Sequence, residues 1–485
     1  MTPGWRTSRI TMCAGLTGLA FLLRAPTFVD RFFDPDEAAI GVQAMVVRSG
    51  GTLYTDIFDR KPPLPPLLYA ASFALTDSTD IRLVRVLVTL ALAASGILVA
   101  MECLRRWGPR HAWLGGILMI TGAMALFPAD AGAANYAQFA LLPGTAAIIW
   151  SRRGTLLAAV AAGVAIGVAI LSRQSWLLGV VPMCLSIGLY SRWRNILPAC
   201  ATGALTVLTT GFYAPLGRFW EWNVSNSPSF VFAGISLWTA IWKGLASFAG
   251  FVAFHPVPVV AVALGVPAGI AALRRRTLPA DIDLWVWIAT GVAAWAAGLR
   301  FFGHYWLQVV PPLVLLAVPV VARWTGRART AAIVGIAVPA VVAWALLFVP
   351  GSFHERPDPT TLANYVAANT TSADRVLVWG SYPEVLVAAN RLPAGSLVHT
   401  DFVVGRSGGR NDPAETLSSA VPGARQIMLD SLAAHPPELI LDTSTSSELG
   451  YENFPISLIP ELDQFVRDGY ELITTVDGVD IWRRR

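Results

Sequence analysis

Two polar stretches near the N-terminus hold residue types that can do chemistry. The first reads Phe32-Phe33-Asp34-Pro35-Asp36-Glu37-Ala38, and the second ends Tyr54-Thr55-Asp56-Ile57-Phe58-Asp59-Arg60-Lys61-Pro62-Pro63-Leu64. Adjacent carboxylates such as Asp36 and Glu37 can serve as a general base or grip a divalent cation. Proline is excluded from helix interiors but favoured at a helix start, so Asp34 is expected as an N-cap with Glu37 as its capping-box partner. That local role leaves Asp36 unexplained. Lys61 precedes a Pro-Pro pair that imposes extended backbone before the next helix. Of the 36 basic residues only Lys61 and Lys243 are lysine, and arginine does the snorkelling elsewhere. A compact ammonium suits a point charge such as a phosphate, or a sugar hydroxyl.

The elements that must position these groups are set by hydropathy. The chain has 485 residues, 54% of them hydrophobic and 14% charged, and its mean hydropathy is +0.55. A soluble domain is nearer a quarter charged, so an ordinary cytosolic enzyme is excluded. A run to about Val29 and later apolar stretches centred near 83–101, 112–128, 137–150, 155–171, 176–190, 196–214, 255–273, 284–299, 305–322 and 331–349 make about eleven expected membrane helices. The first is expected as a retained span, because no small-residue cleavage site follows it. Segment 237–254, with Lys243, is expected as an interfacial helix.

Charge sets the orientation. Residues 351–485 carry 18 acidic and 10 basic groups, and residues 1–350 carry 13 acidic and 26 basic. A uniformly basic chain would hint at nucleic acid; this division indicates a basic membrane part and an acidic soluble part, with no nucleic-acid partner. Arg6/Arg9, Arg105/Arg106/Arg110, Arg152/Arg153, Arg192/Arg194, Arg274–Arg276 and Arg323/Arg327/Arg329 fall on alternate connections. By the positive-inside rule they are cytoplasmic, the N-terminus is inside, and the long loop 30–82 and the tail lie outside. A span at 237–254 would put Arg274–Arg276 outside, which is why it is read as interfacial. The outer connections hold nearly every unusual polar residue: Asp34, Asp36, Glu37, Asp56, Asp59, Lys61, Asp130, Asn135, Arg173, Arg300 and His304. Ionisable groups near membrane depth are expensive and usually mark a site.

The tail, 351–485, changes character. Strand-length runs (Arg375–Gly380, Glu438–Asp442, Glu471–Val476, Val479–Trp482) alternate with helix-like stretches (358–371, 413–420, 423–434, 458–468). A small α/β domain without catalytic groups is expected there. Two domains follow: a membrane part, 1–350, and an external tail, 351–485. Cys13, Cys103, Cys184 and Cys200 lie far apart in apolar segments and read as core residues rather than as a zinc site or a disulfide framework.

The Asp36-Glu37 pair, Gly50-Gly51-Thr52-Leu53-Tyr54-Thr55-Asp56 and Lys61-Pro62-Pro63-Leu64 together resemble the glycosyltransferase C superfamily. The branch they are most similar to holds the protein O-mannosyltransferases and the lipid A aminoarabinose transferases. The likeness continues in Asn135-Tyr136-Ala137-Gln138-Phe139, in Ser172-Arg173-Gln174, and in Arg300-Phe301-Phe302-Gly303-His304-Tyr305. Related proteins often carry an acidic residue where Gln138 stands, which weakens a second carboxylate or metal role at that position.

The resemblance implies a polytopic helical membrane enzyme that moves a sugar from a polyprenyl-phosphate donor to a hydroxyl on the outer face of the cytoplasmic membrane, with inversion. It places Asp36 as base, Glu37 as an orienting group, and His304 and Tyr305 on sugar or phosphate. Tyr54, Asp56, Asn135, Gln138 and Gln174 are further substrate-binding candidates. A phosphate leaving group needs charge stabilisation more than a general acid, and Lys61, Arg173 and Arg300 are cations at span ends where a lipid phosphate would lie. No cofactor is required; the adjacent carboxylates Asp36 and Glu37 permit a divalent metal. The acceptor is a glycan, a lipid or a protein. Trp220, Trp222, Asn223 and Asn226 are read as an aromatic interfacial belt that could alternatively stack on a sugar. A transporter or flippase of a lipid-linked sugar is the competing reading, but it calls for midplane polar groups and inverted repeats, which the sequence does not show. A non-catalytic scaffold leaves the paired motifs unexplained.

Overall fold

The computed structural model describes residues 3–126, 132–225, 236–348, 357–407 and 411–485, with side chains from residue 9 onward. Asp130, Asn226 and the expected domain boundary near 350 lie outside the described residues. The chain is a multi-pass helical membrane protein with a small C-terminal sheet. Its residues group into two compact units: one holds Met1–Asp30, Arg85–Leu208 and Trp238–Phe353, the other Arg31–Val84, Thr209–Leu237 and His354–Arg485.

In the first unit, all eleven expected apolar stretches are helical, from Pro3–Arg24 to Gly326–Leu346. Helix is the form in which a lipid-facing segment satisfies its own backbone. Without water to drive helices together, small residues carry the close contacts. Helix Leu156–Ser172 meets helix Ile196–Leu208 through Gly163 and Gly203; a Cβ on Gly163 would sit 2.1 Å from the Ala199 carbonyl oxygen.

Charge inside this bundle is paired. Arg152, almost wholly buried, reaches Asp283 and Asp281 at 2.6 Å each, and Arg106 reaches Asp281 at 2.6 Å. Ser186 donates to Asp283 at 2.8 Å, and the Arg152 guanidinium stacks 4.5 Å over the Tyr190 ring. Buried Glu102 takes Arg105 at 2.6 Å and Arg153 at 3.1 Å.

Helix Leu237–Phe254 has 18 residues and is long and apolar enough to cross a membrane by length and composition. From Gly244 onward its buried face meets the bundle. Gly244 approaches Phe301, and Ser247 accepts from the indole N–H groups of Trp295 and Trp306 at 3.1 Å each. Phe251 stacks on Trp306 at 4.2 Å, and His255, the next residue after the helix, lies 2.8 Å from the Gly122 carbonyl oxygen. These partners come from the C-terminal ends of helices Pro109–Met124 and Ile282–Ala296 and from the connection after the latter.

The second unit combines the first long loop with the tail. The tail sheet has order β2-β1-β3-β5-β4, with β1 Arg375–Trp379, β2 Leu392–Pro393, β3 Leu439–Asp442, β4 Tyr470–Val476 and β5 Val479–Arg484. β1 pairs in parallel with β2 and β3, while β5 pairs antiparallel with β3 and β4. The parallel strands are buried along nearly their whole length, as continuous Val/Leu/Ile runs predict. Asp477 and Gly478, both at positive φ, close the β4–β5 hairpin as such a two-residue turn requires. Beyond the four expected strands the structure adds short β2 and a helix, Glu384–Ala389, which packs on helix Pro35–Arg48.

Arg152→Met should strand Asp283 without its counter-charge and cost about 3–5 kcal/mol. Thermal unfolding in detergent should show the loss, and adding Asp283→Asn should recover most of it. A wild-type melting temperature for the single variant would show the lattice to be dispensable.

Candidate functional site

The loop unit positions its carboxylates by local rules. Asp34 is extended and its side chain accepts from the Asp36 N–H at 2.8 Å, capping helix Pro35–Arg48. Successive residues on a helix point about 100° apart, and the acidic pair divides accordingly. Glu37 is fully buried, whereas Asp36 Oδ1 lies 3.0 Å from Lys61 Nζ, with both side chains partly exposed. Burial pulls the Lys61 ammonium down, but Asp36 and Asp59 outweigh it and the net shift is upward. Lys61 is therefore a cation throughout the physiological range.

The backbone that presents Lys61 is held from several sides. The Tyr54 hydroxyl donates to the Lys61 carbonyl at 2.8 Å, and Tyr54 occupies left-handed backbone at φ 63°. Burial pushes the Tyr54 phenol well above its ordinary value, so it stays a donor. Asp56 closes its own turn by accepting from the Thr52 N–H at 2.7 Å, and Asp59 accepts from Gln43 at 3.1 Å. Phe58 pairs with the tail: its N–H donates to the Ser396 carbonyl at 2.6 Å, in a parallel bridge with Leu397.

That pairing brings in a residue which sequence reasoning missed. His399 stacks on Phe402 at 4.6 Å, with Nδ1 3.5 Å from Asp401 Oδ2. Burial lowers its basicity; Asp401 and Asp59 oppose this, while Lys61 and Arg60 add to it. The tail, expected to be free of catalytic groups, thus sets a neutral imidazole within electrostatic reach of Lys61. Directly after Leu397-Val398, a run too short to mark an element, His399 had no local pattern to announce it. Of the other tail residues, Trp379 donates to the Phe454 carbonyl and Tyr382 to the Pro357 carbonyl, both structural bonds.

Residues 215–225 complete this unit's site. Trp222 is buried between Phe58 and Phe402, at ring distances of 4.9 and 5.8 Å, so it does not belong to an interfacial belt; Trp220 is exposed.

The helical bundle holds the remaining candidates. Arg173 follows helix Leu156–Ser172, stacks 4.1 Å over the Tyr305 ring and donates to Ser175 at 3.1 Å. Gln308 donates to the same Ser175 hydroxyl. His304 meets Tyr305 edge-on at 4.8 Å and lies parallel to Phe302 at 5.8 Å. Arg173, His304 and Tyr305 are thus brought together. Arg300 stands between Leu299 and Phe301, both at φ 56°, a strained backbone of the kind that persists at functional sites. Asn135 spends its side chain as the N-cap of helix Tyr136–Ser151, accepting from the Ala137 and Gln138 N–H groups. Gln138 is buried and Gln174 exposed. Among the described residues no group of three or more His, Cys, Asp or Glu side chains could hold a metal ion.

No protein-family model matches the sequence, and no curated protein matches it. Solved structures do match, and they define the class: this is the fold of the C-type membrane glycosyltransferases. The chain is similar to the aminoarabinose transferase ArnT from Cupriavidus metallidurans bound to undecaprenyl phosphate, with TM-score 0.59 and 15% identity over 99% of this chain and 98% of that one. It is also similar to the archaeal oligosaccharyltransferase AglB from Archaeoglobus fulgidus, in complex with an inhibitory peptide and a dolichol-phosphate. There the TM-score is 0.57 at 12% identity, over 100% of this chain and 75% of that one. At these identities the likeness is one of fold.

A histidine whose basicity is lowered on folding resists protonation. The stability it supports is complete above its ordinary value near 6.5 and is lost progressively as pH falls below it. Hydrogen exchange in residues 54–61 and 397–404 should therefore accelerate, beyond its intrinsic pH dependence, between pH 7 and 5. His399→Gln should flatten that slope, and an unchanged slope would assign it to the neighbouring carboxylates.

Proposed function

We propose that this protein is an inverting glycosyltransferase, moving a sugar from a polyprenyl-phosphate donor to a hydroxyl acceptor on the outer face of the cytoplasmic membrane. One observation carries the reading: within a C-type glycosyltransferase fold, the Asp36 carboxylate faces the Lys61 ammonium at 3.0 Å.

The two charges neutralise each other in the resting protein. A donor phosphate competes for Lys61, and the ammonium turning to it frees Asp36. The acceptor hydroxyl then attacks the anomeric carbon, the bond from that carbon to the phosphate oxygen breaks, and the hydroxyl proton passes to Asp36. Polyprenyl phosphate leaves with the electron pair, and Lys61 stabilises the charge that develops on it. One displacement inverts the anomeric centre. Glu37 holds the helix start that aims Asp36; Tyr54 fixes the Lys61 backbone; His304 and Tyr305 contact sugar or phosphate. Asp56 keeps its own turn and Asn135 its helix cap in place, while Gln138 and Gln174 are further substrate-binding candidates of the helical bundle. No metal is required, because Lys61 already holds the exposed carboxylate of the acidic pair. The N-terminus is cytoplasmic, and the tail is outside with the loop it packs on.

Purified protein in detergent, given an undecaprenyl-phosphate sugar and a membrane glycolipid extract, should transfer sugar without sealed vesicles. Asp36→Asn should lower turnover by about 10²–10⁴-fold with donor affinity retained. Survival of turnover in that variant would sink the base assignment, and donor binding without any transfer by wild type would favour the transporter. Lys61→Met should weaken donor binding by roughly tenfold or more, the scale of a charge-assisted bond. Chelation with EDTA should leave the rate within twofold; a loss restored by magnesium or manganese would place a metal on the carboxylates.

A further inference from the structure

After helix Leu216–Trp220 the backbone widens into one π-helical turn, Glu221–Ser225, a conformation frequent at functional sites. The turn buries two neighbouring side chains, Trp222 at 1% exposure and Asn223 at 6%. Each keeps a polar atom that has no hydrogen-bond partner among the described residues: the indole Nε1 of Trp222 and the amide Oδ1 of Asn223. Buried polar groups are nearly always satisfied, so two in one turn need a reason. Their surroundings point the same way. Trp222 packs on Phe58, and Phe219, whose carbonyl accepts from the Asn223 amide, meets edge-on the ring of Tyr54, whose hydroxyl holds the Lys61 carbonyl.

One atom is a donor and the other an acceptor. A sugar hydroxyl is both at once: it can accept from an indole N–H and donate to an amide oxygen. The flanking rings of Phe58 and Phe402 add apolar surface of the sort that covers a sugar's C–H edges. We infer that Trp222 Nε1 and Asn223 Oδ1 form a hydroxyl-recognition subsite for the sugar carried on the lipid phosphate. The link through Tyr54 to Lys61, the phosphate ligand, favours the donor's sugar over the acceptor's. The inference rests on the transferase reading and adds a specificity element to it. Packing alone does not account for Trp222, since apolar side chains could fill that space without burying an N–H.

The test is Trp222→Phe in the full-length protein, which keeps a ring between Phe58 and Phe402 and deletes the donor. The probes are undecaprenyl phosphate alone and undecaprenyl phosphates carrying mannose, arabinose or 4-aminoarabinose. The variant should bind bare undecaprenyl phosphate as wild type does. It should bind the sugar-bearing probe that wild type prefers roughly three- to tenfold more weakly, the scale of one neutral hydrogen bond. Its melting temperature should fall only modestly, because the smaller ring leaves a small void while the buried, unpaired N–H is removed. Wild-type affinity for every probe, equal weakening for the bare carrier, or a change confined to the acceptor KM would each overturn the subsite. If wild type itself neither prefers a sugar-bearing probe nor transfers sugar, the transferase reading fails; if wild type transfers and the variant matches it, only the subsite fails.

Discussion

The backbone of the loop unit converges on one ion pair, a half-buried ammonium and a carboxylate 3.0 Å apart. Such a pair contributes little to stability when water still reaches it, yet much of the surrounding backbone is arranged to keep it. Asp34 caps the helix that starts the acidic pair, and Pro62-Pro63 stiffens the chain leaving Lys61. Tyr54 accepts a strained left-handed backbone so that its hydroxyl can hold the Lys61 carbonyl. Precision spent on a weak ion pair makes sense when the pair is meant to be broken by a ligand. A competing anion of higher charge can take the ammonium without dismantling a core.

The tail takes part in that arrangement. Phe58 borrows hydrogen bonds from residues 396–398, and the Trp222 ring lies between Phe58 and Phe402. Three stretches separated by more than a hundred residues each therefore share one packed unit. Loop residues that must hold a reacting group need a rigid backing. A five-stranded sheet with buried central strands supplies it at little cost in mobile chain.

What could be read from the sequence follows the range of the underlying forces. Apolar length and strand-scale alternation are local, so the apolar helices of the membrane part and the strands β1, β3, β4 and β5 stood out, as did the Asp34 cap. The membrane class and the Asp36/Lys61 motifs were equally plain. Partnerships across the fold were not. Nothing local shows that Arg152 and Arg153 reach Asp281, Asp283 and Glu102. Trp222 carried the composition of an interfacial belt, and only the Phe58 and Phe402 rings reveal it as buried. His399 becomes visible once Phe58 pairs beside it. The two-residue strand Leu392–Pro393 is too short for any alternation to register.

The helical bundle shows why arginine and lysine are used differently along this chain. At one end of helix Leu156–Ser172, Arg152 is locked to Asp283 and Asp281 by bonds of 2.6 Å, its charge cancelled within the protein. About 25 Å away by helical rise, Arg173 is oriented by the face of Tyr305 and by the Ser175 hydroxyl, neutral contacts that aim a guanidinium without cancelling it. A planar fork stacked on a ring is preorganised for two oxygens of one phosphate. Lys61, with a compact head on a flexible stem, suits the opposite task of letting go of one anion and taking up another. In a chain with only two lysines, one stands in the ion pair that the proposed mechanism requires to open.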